Sequence, residues 1–423
     1  MALFDRESLQ PGVKRRELAG WAMYDFANSG YTTVVLTAVF NAYFVGVIAQ
    51  KADWATLAWT VSLAISCILI MLTAPAIGAY ADRHRAKKKL MLLSTIGCVL
   101  CTAALATTQP GTVVWAMVAI IASNYFFSIG ESLNGAFLPE LATKKGMGRV
   151  SGWGWSFGYF GGMLSLGLCL AYVMTSQKTG ATASQFVPVT MLITAGIFAL
   201  AAIPTFLLLK ERGLAEAAVP KKALSYAEVK QHPAFFRLMW CGVAYQAGIS
   251  VVIALAAVYA EQVMGFKQTQ TMMLVFVVNI ASALGAFGFG YFQDRIGHKR
   301  GLAITLVGWI VMVLLAGFGT SENIFWLAAF VAGLCMGSSQ SVGRAMVGTL
   351  APQDRLGEFF GLWALAVRLA AIIGPVTYGL VTWATSGNHR LAILITGLFF
   401  VIGLVVLRGI EMPRDNLLLS DSK

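Results

Sequence analysis

Asp25, Asn28 and Thr32 fall at i, i+3 and i+7 of an otherwise apolar stretch, GWAMYDFANSGYTTVVLTAVFNAYFV, that runs from Gly20 to Val45. This spacing lays three polar groups along one helical stripe. A carboxylate near the centre of a membrane helix costs about 2.5–3.5 kcal/mol to insert, so the stripe calls for a polar partner or a water-filled cavity. A later apolar block supplies Asn124, Ser128, Glu131 and Asn134, the last three on one face. Further on, Tyr245, Gln246 and Ser250 share a block, Ser338, Gln340, Ser341 and Arg344 share another, and Arg368 stands in the middle of a third. Two acids in the first half of the chain thus face two guanidiniums in the second. The chemistry open to such a set is proton binding, ion pairing and recognition of a charged small molecule. Burial favours a protonated carboxyl and a nearby arginine disfavours it. An arginine that approaches Asp25 or Glu131 in one conformation alone would therefore couple protonation to shape. Either acid is equally readable as a static polar lock between helices or as a substrate contact. Arg344 and Arg368 suit a substrate carboxylate or phosphate, or the neutralisation of those acids; Arg344 also lies near enough to an end to snorkel.

The chain has 423 residues, of which 58% are hydrophobic and 12% charged, against about a quarter charged in soluble proteins. The apolar residues come in blocks of about 20, the length that crosses a hydrocarbon core. The first block is too long for a signal-peptide core and reads as a retained span. Cys67, Cys98, Cys101, Cys169, Cys241 and Cys335 all lie in apolar blocks and read as small core residues. His84, His232, His298 and His389 have no metal-ligand spacing, so neither a metal nor another cofactor is expected. The sequence has no Walker motif, no H-E-x-x-H and no G-x-S-x-G in context, which argues against an enzyme.

Apolar windows give twelve spans, at about 19–47, 56–80, 90–107, 112–137, 151–175, 186–209, 234–260, 270–292, 301–319, 324–349, 358–383 and 389–408. In lipid each must be a helix to satisfy its own backbone. Basic residues crowd one set of loops: Lys14, Arg15 and Arg16 before span 1, Arg83 to Lys89 after span 2, Lys144, Lys145 and Arg149 after span 4, and Arg295, Lys299 and Arg300 after span 8. The opposite loops hold Lys51, Lys178, Lys267 and Arg390. The positive-inside rule then places both termini in the cytoplasm, and the net charge of +12 reads as topology rather than a nucleic-acid footprint. Tryptophans at both sets of ends, among them Trp21, Trp153, Trp155 and Trp240 on the basic side, fit an aromatic belt.

A long charged segment, 210–233, divides the chain into six-span units at 1–209 and 234–423. The halves echo each other. GAYADRHRAKKK (Gly78–Lys89) follows span 2 and GYFQDRIGHKR (Gly290–Arg300) follows span 8, both reading G-x-x-x-D-R before a basic cluster. Each acid is expected to cap the amino end of the helix after it and to pair with an arginine across the halves. Gly154, Gly158 and Gly162 recur every fourth residue and permit close helix contact. Gly374-Pro375 should kink or locally unwind span 11.

The two G-x-x-x-D-R loops resemble the loop 2–3 signature of the major facilitator superfamily, and the twelve spans and central loop extend the resemblance to nearly the whole chain. More narrowly, WAMYDFANSGYTTVV (Trp21–Val35), NGAFLPELA (Asn134–Ala142) and EFFGLWALAVRLAAIIGP (Glu358–Pro375) are similar to spans 1, 4 and 11 of the vacuole-effluxer family. SSQSVGRAM (Ser338–Met346) keeps Gln340, Ser341 and Arg344 of that family's Q-x-x-S-R pattern, with Gly343 in place of the serine. The resemblance implies an all-α membrane protein of twelve transmembrane helices in two pseudo-symmetric six-helix bundles, with spans 1, 4, 7 and 10 around a central cavity. It implies a secondary transporter working by alternating access, with a conformational latch at Gly78, Asp82, Arg83, Gly290, Asp294 and Arg295.

The substrate and proton pathway is expected at Asp25, Asn28, Glu131, Asn134, Gln246, Gln340, Arg344 and Arg368. The expected cargo is a small polar or zwitterionic metabolite such as an amino acid, exported with proton coupling by a monomer in a bacterial inner membrane. A proton-driven exporter of lipophilic cations is the alternative on the same fold, and a non-transporting sensor the alternative from another class.

Overall fold

The computed structural model describes residues 6–50, 52, 54–212, 226–266 and 268–412. Residues 213–225 of the central segment and 413–423 of the tail lie outside the described residues, as do Lys51 and Lys267. Among the described residues, twelve helices long and apolar enough to span a membrane follow one another. They are α1 (Arg15–Ile48), α2 (Ala55–His84), α3 (Lys87–Ala104), α4 (Val113–Ala136), α5 (Met147–Lys178), α6 (Ala183–Leu208), α7 (Pro233–Met264), α8 (Gln268–Ile296), α9 (His298–Phe318), α10 (Glu322–Leu350), α11 (Leu356–Ala384) and α12 (His389–Arg408). No strand occurs among the described residues. Several helices run past the apolar windows because their polar ends continue the same hydrogen-bond ladder into the interface.

Two apolar cores form, one per half. Trp21, Tyr31, Phe44, Phe127 and Phe198 belong to the first; Phe235, Tyr245, Trp309, Phe359 and Phe400 belong to the second. Large aliphatic side chains such as Leu72, Leu207 and Leu380 point outward, as expected where lipid is the solvent. The halves meet chiefly along two helix pairs, α2 with α11 and α5 with α8. Small residues allow those approaches: Gly78 faces the Gly357 carbonyl, and a Cβ built on Gly290 would lie 3.0 Å from the Gly148 carbonyl oxygen.

α1 is irregular where the sequence suggested a plain helix. It is α-helical over Arg15–Gly30, then π-helical over Tyr31–Ala38 and Phe44–Ile48, with one α-turn, Phe40–Tyr43, between. The cause is local. Ser29 donates to the Asp25 carbonyl, Thr33 to the Ser29 carbonyl and Thr37 to the Thr32 carbonyl, and such hydroxyls compete with the backbone ladder. By contrast α11 stays helical through Gly374-Pro375, so the unwinding expected there is absent.

The aromatic-belt reading is corrected for four tryptophans, among them Trp59, expected at an outer end but buried against Phe40 and Phe44. Trp21 is fully buried and Trp153 nearly so, while Trp155 has a buried indole N–H. Trp54, Trp115, Trp240 and Trp383 are exposed at helix ends, where the amphipathic ring suits the interface.

Candidate functional site

The expected pathway residues separate into three groups. The first is a buried cluster where α1, α4, α5 and α10 converge. Arg344 donates from Nη1 to Asp25 Oδ2 at 2.7 Å, from Nε to Ser151 Oγ at 3.2 Å and from Nη2 to the Ser151 carbonyl at 2.8 Å. Asn134 Nδ2 donates to Asp25 Oδ1 at 2.9 Å, and Trp21 Nε1 donates to the Asn134 carbonyl at 2.9 Å. The guanidinium lies between two indoles, 4.9 Å from the Trp21 ring and 5.3 Å from that of Trp155, so cation–π attraction adds to the ion pair. Gly154 makes the cluster possible: a Cβ there would land on both Arg344 Nη2 and Asp25 Oδ2. Gly158 and Gly162 continue the same face, with built Cβ atoms 2.8 Å from Ser29 Oγ and 2.7 Å from Thr33 Oγ1. The glycine stripe of α5 is therefore the seat of α1. Asn28 is buried one turn deeper and accepts a long 3.5 Å contact from Ser29 Oγ.

The second group is looser. Arg368 on α11 reaches Glu131 on α4 through Nη2 at 3.4 Å. The Glu131 side chain is 40% exposed, against 10% for Asp25. Glu131 therefore faces open space within the bundle. Arg368 Nε is buried without a partner among the described residues. The third group is an amide pair within the second half, where Gln246 on α7 and Gln340 on α10 exchange reciprocal bonds of 2.8 and 3.1 Å.

Gly343 has a steric reason. A Cβ at that position would strike the hydroxyl of Tyr245, a fully buried side chain. The serine of the related pattern has no room here.

The duplicated acids do cap helices, but across the molecule rather than on the helix that follows each. Asp82 accepts from the amides of Gly357 and Glu358 at 3.0 Å each, at the start of α11. Asp294 accepts from the amides of Gly148 and Arg149 at 2.8 and 3.0 Å, at the start of α5. Each half therefore places a carboxylate on the positive end of a helix in the other. The cations follow expectation at one site only, where Asp294 pairs with an arginine of the other half. Arg83 and Arg295 are exposed; Arg149 Nε bonds Asp294 at 3.1 Å, and Lys87 lies 3.6 Å from Asp82 while bonding Glu140. Glu140 in turn accepts from the Arg212 amide at 3.0 Å, and the Arg212 guanidinium grips Glu17. Those hydrogen bonds hold the Arg212 guanidinium above its usual range, the carboxylate of Glu17 being the main cause.

The sequence carried no signal for Ser151, Lys87, Glu140, Glu17 or Arg212. Their roles arise from partners far along the chain and follow no helical spacing.

Comparison with known proteins agrees with this architecture. The family described as "Vacuole effluxer Atg22 like" matches residues 42–416. An uncharacterized MFS-type transporter of Bacillus subtilis, YxiO, is 25% identical over 402 residues, covering 92% of this chain and 93% of its own. Among solved structures, the proton:xylose symporter XylE superposes with a TM-score of 0.76 at 14% identity, covering 94% of this chain and 96% of its own. The human organic anion transporter MFSD10 gives 0.72 at 16% identity, covering 94% and 100%.

Proposed function

Because the chain belongs to the vacuole effluxer Atg22-like family, and so is a multi-pass secondary transporter of the major facilitator type rather than an enzyme, we propose that it carries a small zwitterionic metabolite, an amino acid foremost, in exchange for or together with protons. The observation that carries this reading is the contrast between the two inter-half ion pairs. Asp25 and Arg344 have their polar atoms committed to one another, to Asn134 and to Ser151. Glu131 and Arg368 are 3.4 Å apart, with the acid open to the interior. A loose pair of opposite charges fits a molecule that carries both an ammonium and a carboxylate: the guanidinium takes the carboxylate in its donor fork and Glu131 takes the ammonium. Gln246 and Gln340 add neutral donors and acceptors beside them. Protonation of Glu131 would release Arg368 for the substrate carboxylate and leave the Glu131 carbonyl oxygen as a neutral acceptor for the ammonium, which supplies the coupling.

In this proposal residues 1–209 and 234–423 rock as units joined by 210–233, around a site between them. The basic side faces the cytoplasm of a bacterium with both termini, by the positive-inside rule. Asp82, Gly78, Asp294 and Gly290, with Lys87 and Arg149 as the partner cations, act as paired latches that close the cytoplasmic side.

Counterflow of labelled neutral amino acids in proteoliposomes, with and without an imposed proton gradient, tests this. Wild-type protein should exchange at least one of them and accumulate it with the gradient. Glu131→Gln should keep exchange while losing gradient-driven accumulation, and Arg368→Gln should lose both. Transport of lipophilic cations with no exchange of any zwitterion would sink the proposal.

A further inference from the structure

On the membrane-facing surface between α3 and α6 lies a cavity of about 290 Å³. Leu92, Ile96, Leu100, Ala199, Ile203 and Leu207 line most of it. Its one polar lining group, the Thr95 hydroxyl, is already committed to the Met91 carbonyl at 2.8 Å and to Tyr24 at 3.1 Å. The cavity therefore offers a polar solute nothing and an alkyl chain everything. Leu92 to Leu100 lie five to thirteen residues into α3, roughly 8–20 Å from its start. That is the depth of one leaflet, about half of a hydrocarbon core of ~30 Å.

The mouth of the cavity is basic. Lys88 Nζ donates to the Leu209 carbonyl at 2.6 Å, so the start of α3 and the end of α6 touch there. Lys89 and Lys210, the residues beside that contact, are exposed. The acids nearby are already spent: Glu211 takes the amides of Lys87 and Lys88 at 2.8 and 3.3 Å, and Glu17 takes the Lys210 amide at 3.1 Å while the Arg212 guanidinium balances its charge. Lys87 itself is balanced by Glu140 and Asp82. Lys88, Lys89 and Lys210 against Glu211 leave a positive surplus at headgroup level, directly above an acyl-sized slot.

We propose that this groove binds an anionic glycerophospholipid from the leaflet on the basic side, with one acyl chain between α3 and α6 and its phosphate at Lys89 and Lys210. The chain would press on Thr95 and Phe206, the residues that hold Tyr24: Thr95 by its hydrogen bond and Phe206 edge-on at 6.3 Å. Tyr24 precedes Asp25, so an occupied groove braces the stretch of α1 that carries the buried ion pair.

Native mass spectrometry of the full-length protein, loaded with phosphatidylglycerol or phosphatidylcholine of identical chains, reads this directly. Wild-type protein should retain phosphatidylglycerol in preference. Lys89→Gln with Lys210→Gln should lower that retention by about 25-fold, at about fivefold per lysine near an anionic lipid, and leave phosphatidylcholine unchanged. Ala199→Trp, which fills the slot, should lose both lipids, while Leu314→Trp on the exposed face of α9 should lose neither. Equal retention of the two lipids by wild-type protein overturns the proposal. So does full retention of phosphatidylglycerol by the filled variant, or equal loss in the α9 control. If Ala199→Trp does not fold, the lysine pair decides alone.

Discussion

At the scale of single residues, space matters as much as charge. Asp25 and Arg344 meet because residue 154 has no side chain. Gly154→Ala forces a methyl group into the ion pair, against Arg344 Nη2 and Asp25 Oδ2, and to 2.8 Å from Cη2 of the Trp21 ring; the arginine and aspartate can yield only by giving up the hydrogen bonds that hold them. Overpacking of this kind costs about 1–3 kcal/mol. Gly167, on the same helix, has nothing within 4 Å of a built Cβ, and an alanine there should be neutral or stabilising by up to about 1 kcal/mol through helix propensity. Thermal unfolding in detergent should therefore show Gly154→Ala well below wild type and Gly167→Ala at or above it. Equal melting of the two variants would remove the steric account of the cluster. The polar stripe of α1 was legible in the sequence because Asp25 and Asn28 are conspicuous in an apolar run. Ser151 was not, since a serine in a helix carries no mark of the arginine that reaches it from nearly two hundred residues away.

At the scale of elements, the capped helix ends carry the functional argument. Asp82 and Asp294 each meet two amides at the start of a helix belonging to the opposite half. A carboxylate at such a site contributes about 0.3–2 kcal/mol through the helix dipole, and charged hydrogen bonds are stronger than neutral ones. Asp294→Asn keeps the shape and removes the charge that faces the Arg149 guanidinium. By weakening the Arg149 pair and the two amide caps, it should loosen the contact of α8 with α5 and wet the interior on the basic side. Ser341 is fully buried there, its carbonyl accepting from Ser151 Oγ at 2.7 Å. A Ser341→Cys reporter should accordingly react several-fold faster with a hydrophilic thiol reagent once Asp294→Asn is introduced; an unchanged rate would mean that the cap is not a latch. The repeat of G-x-x-x-D-R showed that two equivalent elements exist, because sequence repetition reports on symmetry. Which helix each acid caps was not legible, since the neighbour in space is not the neighbour in the chain. Nor was the π-helical course of α1, which depends on how several hydroxyls settle their local competition with the backbone.

For the whole molecule, the arrangement of ties selects one state. Asp82, Asp294, Ser151 with Ser341, and Asp25 with Arg344 all join the halves in the portion nearer the basic loops, so this conformer is closed on that side. The twelve-helix frame was legible throughout, because lipid leaves each apolar block only one way to satisfy its backbone. The state was not, because it depends on long-range pairing. Removing one partner of a buried ion pair costs about 3–5 kcal/mol, since the other charge remains desolvated. In Asp25→Asn that cost falls on Arg344 in the closed conformer and is relieved when the halves part and water reaches the guanidinium. Conformational states of a transporter differ by a few kcal/mol, so the substitution should shift the population rather than unfold the protein. Spin labels at Lys145 and Gln353, on basic-side loops of the two halves, should move apart in Asp25→Asn relative to wild type. Labels at Gly111 and Ser386, on the opposite side, should move together. A large loss of thermal stability with both distances unchanged would instead make the pair a permanent tie between α1 and α10.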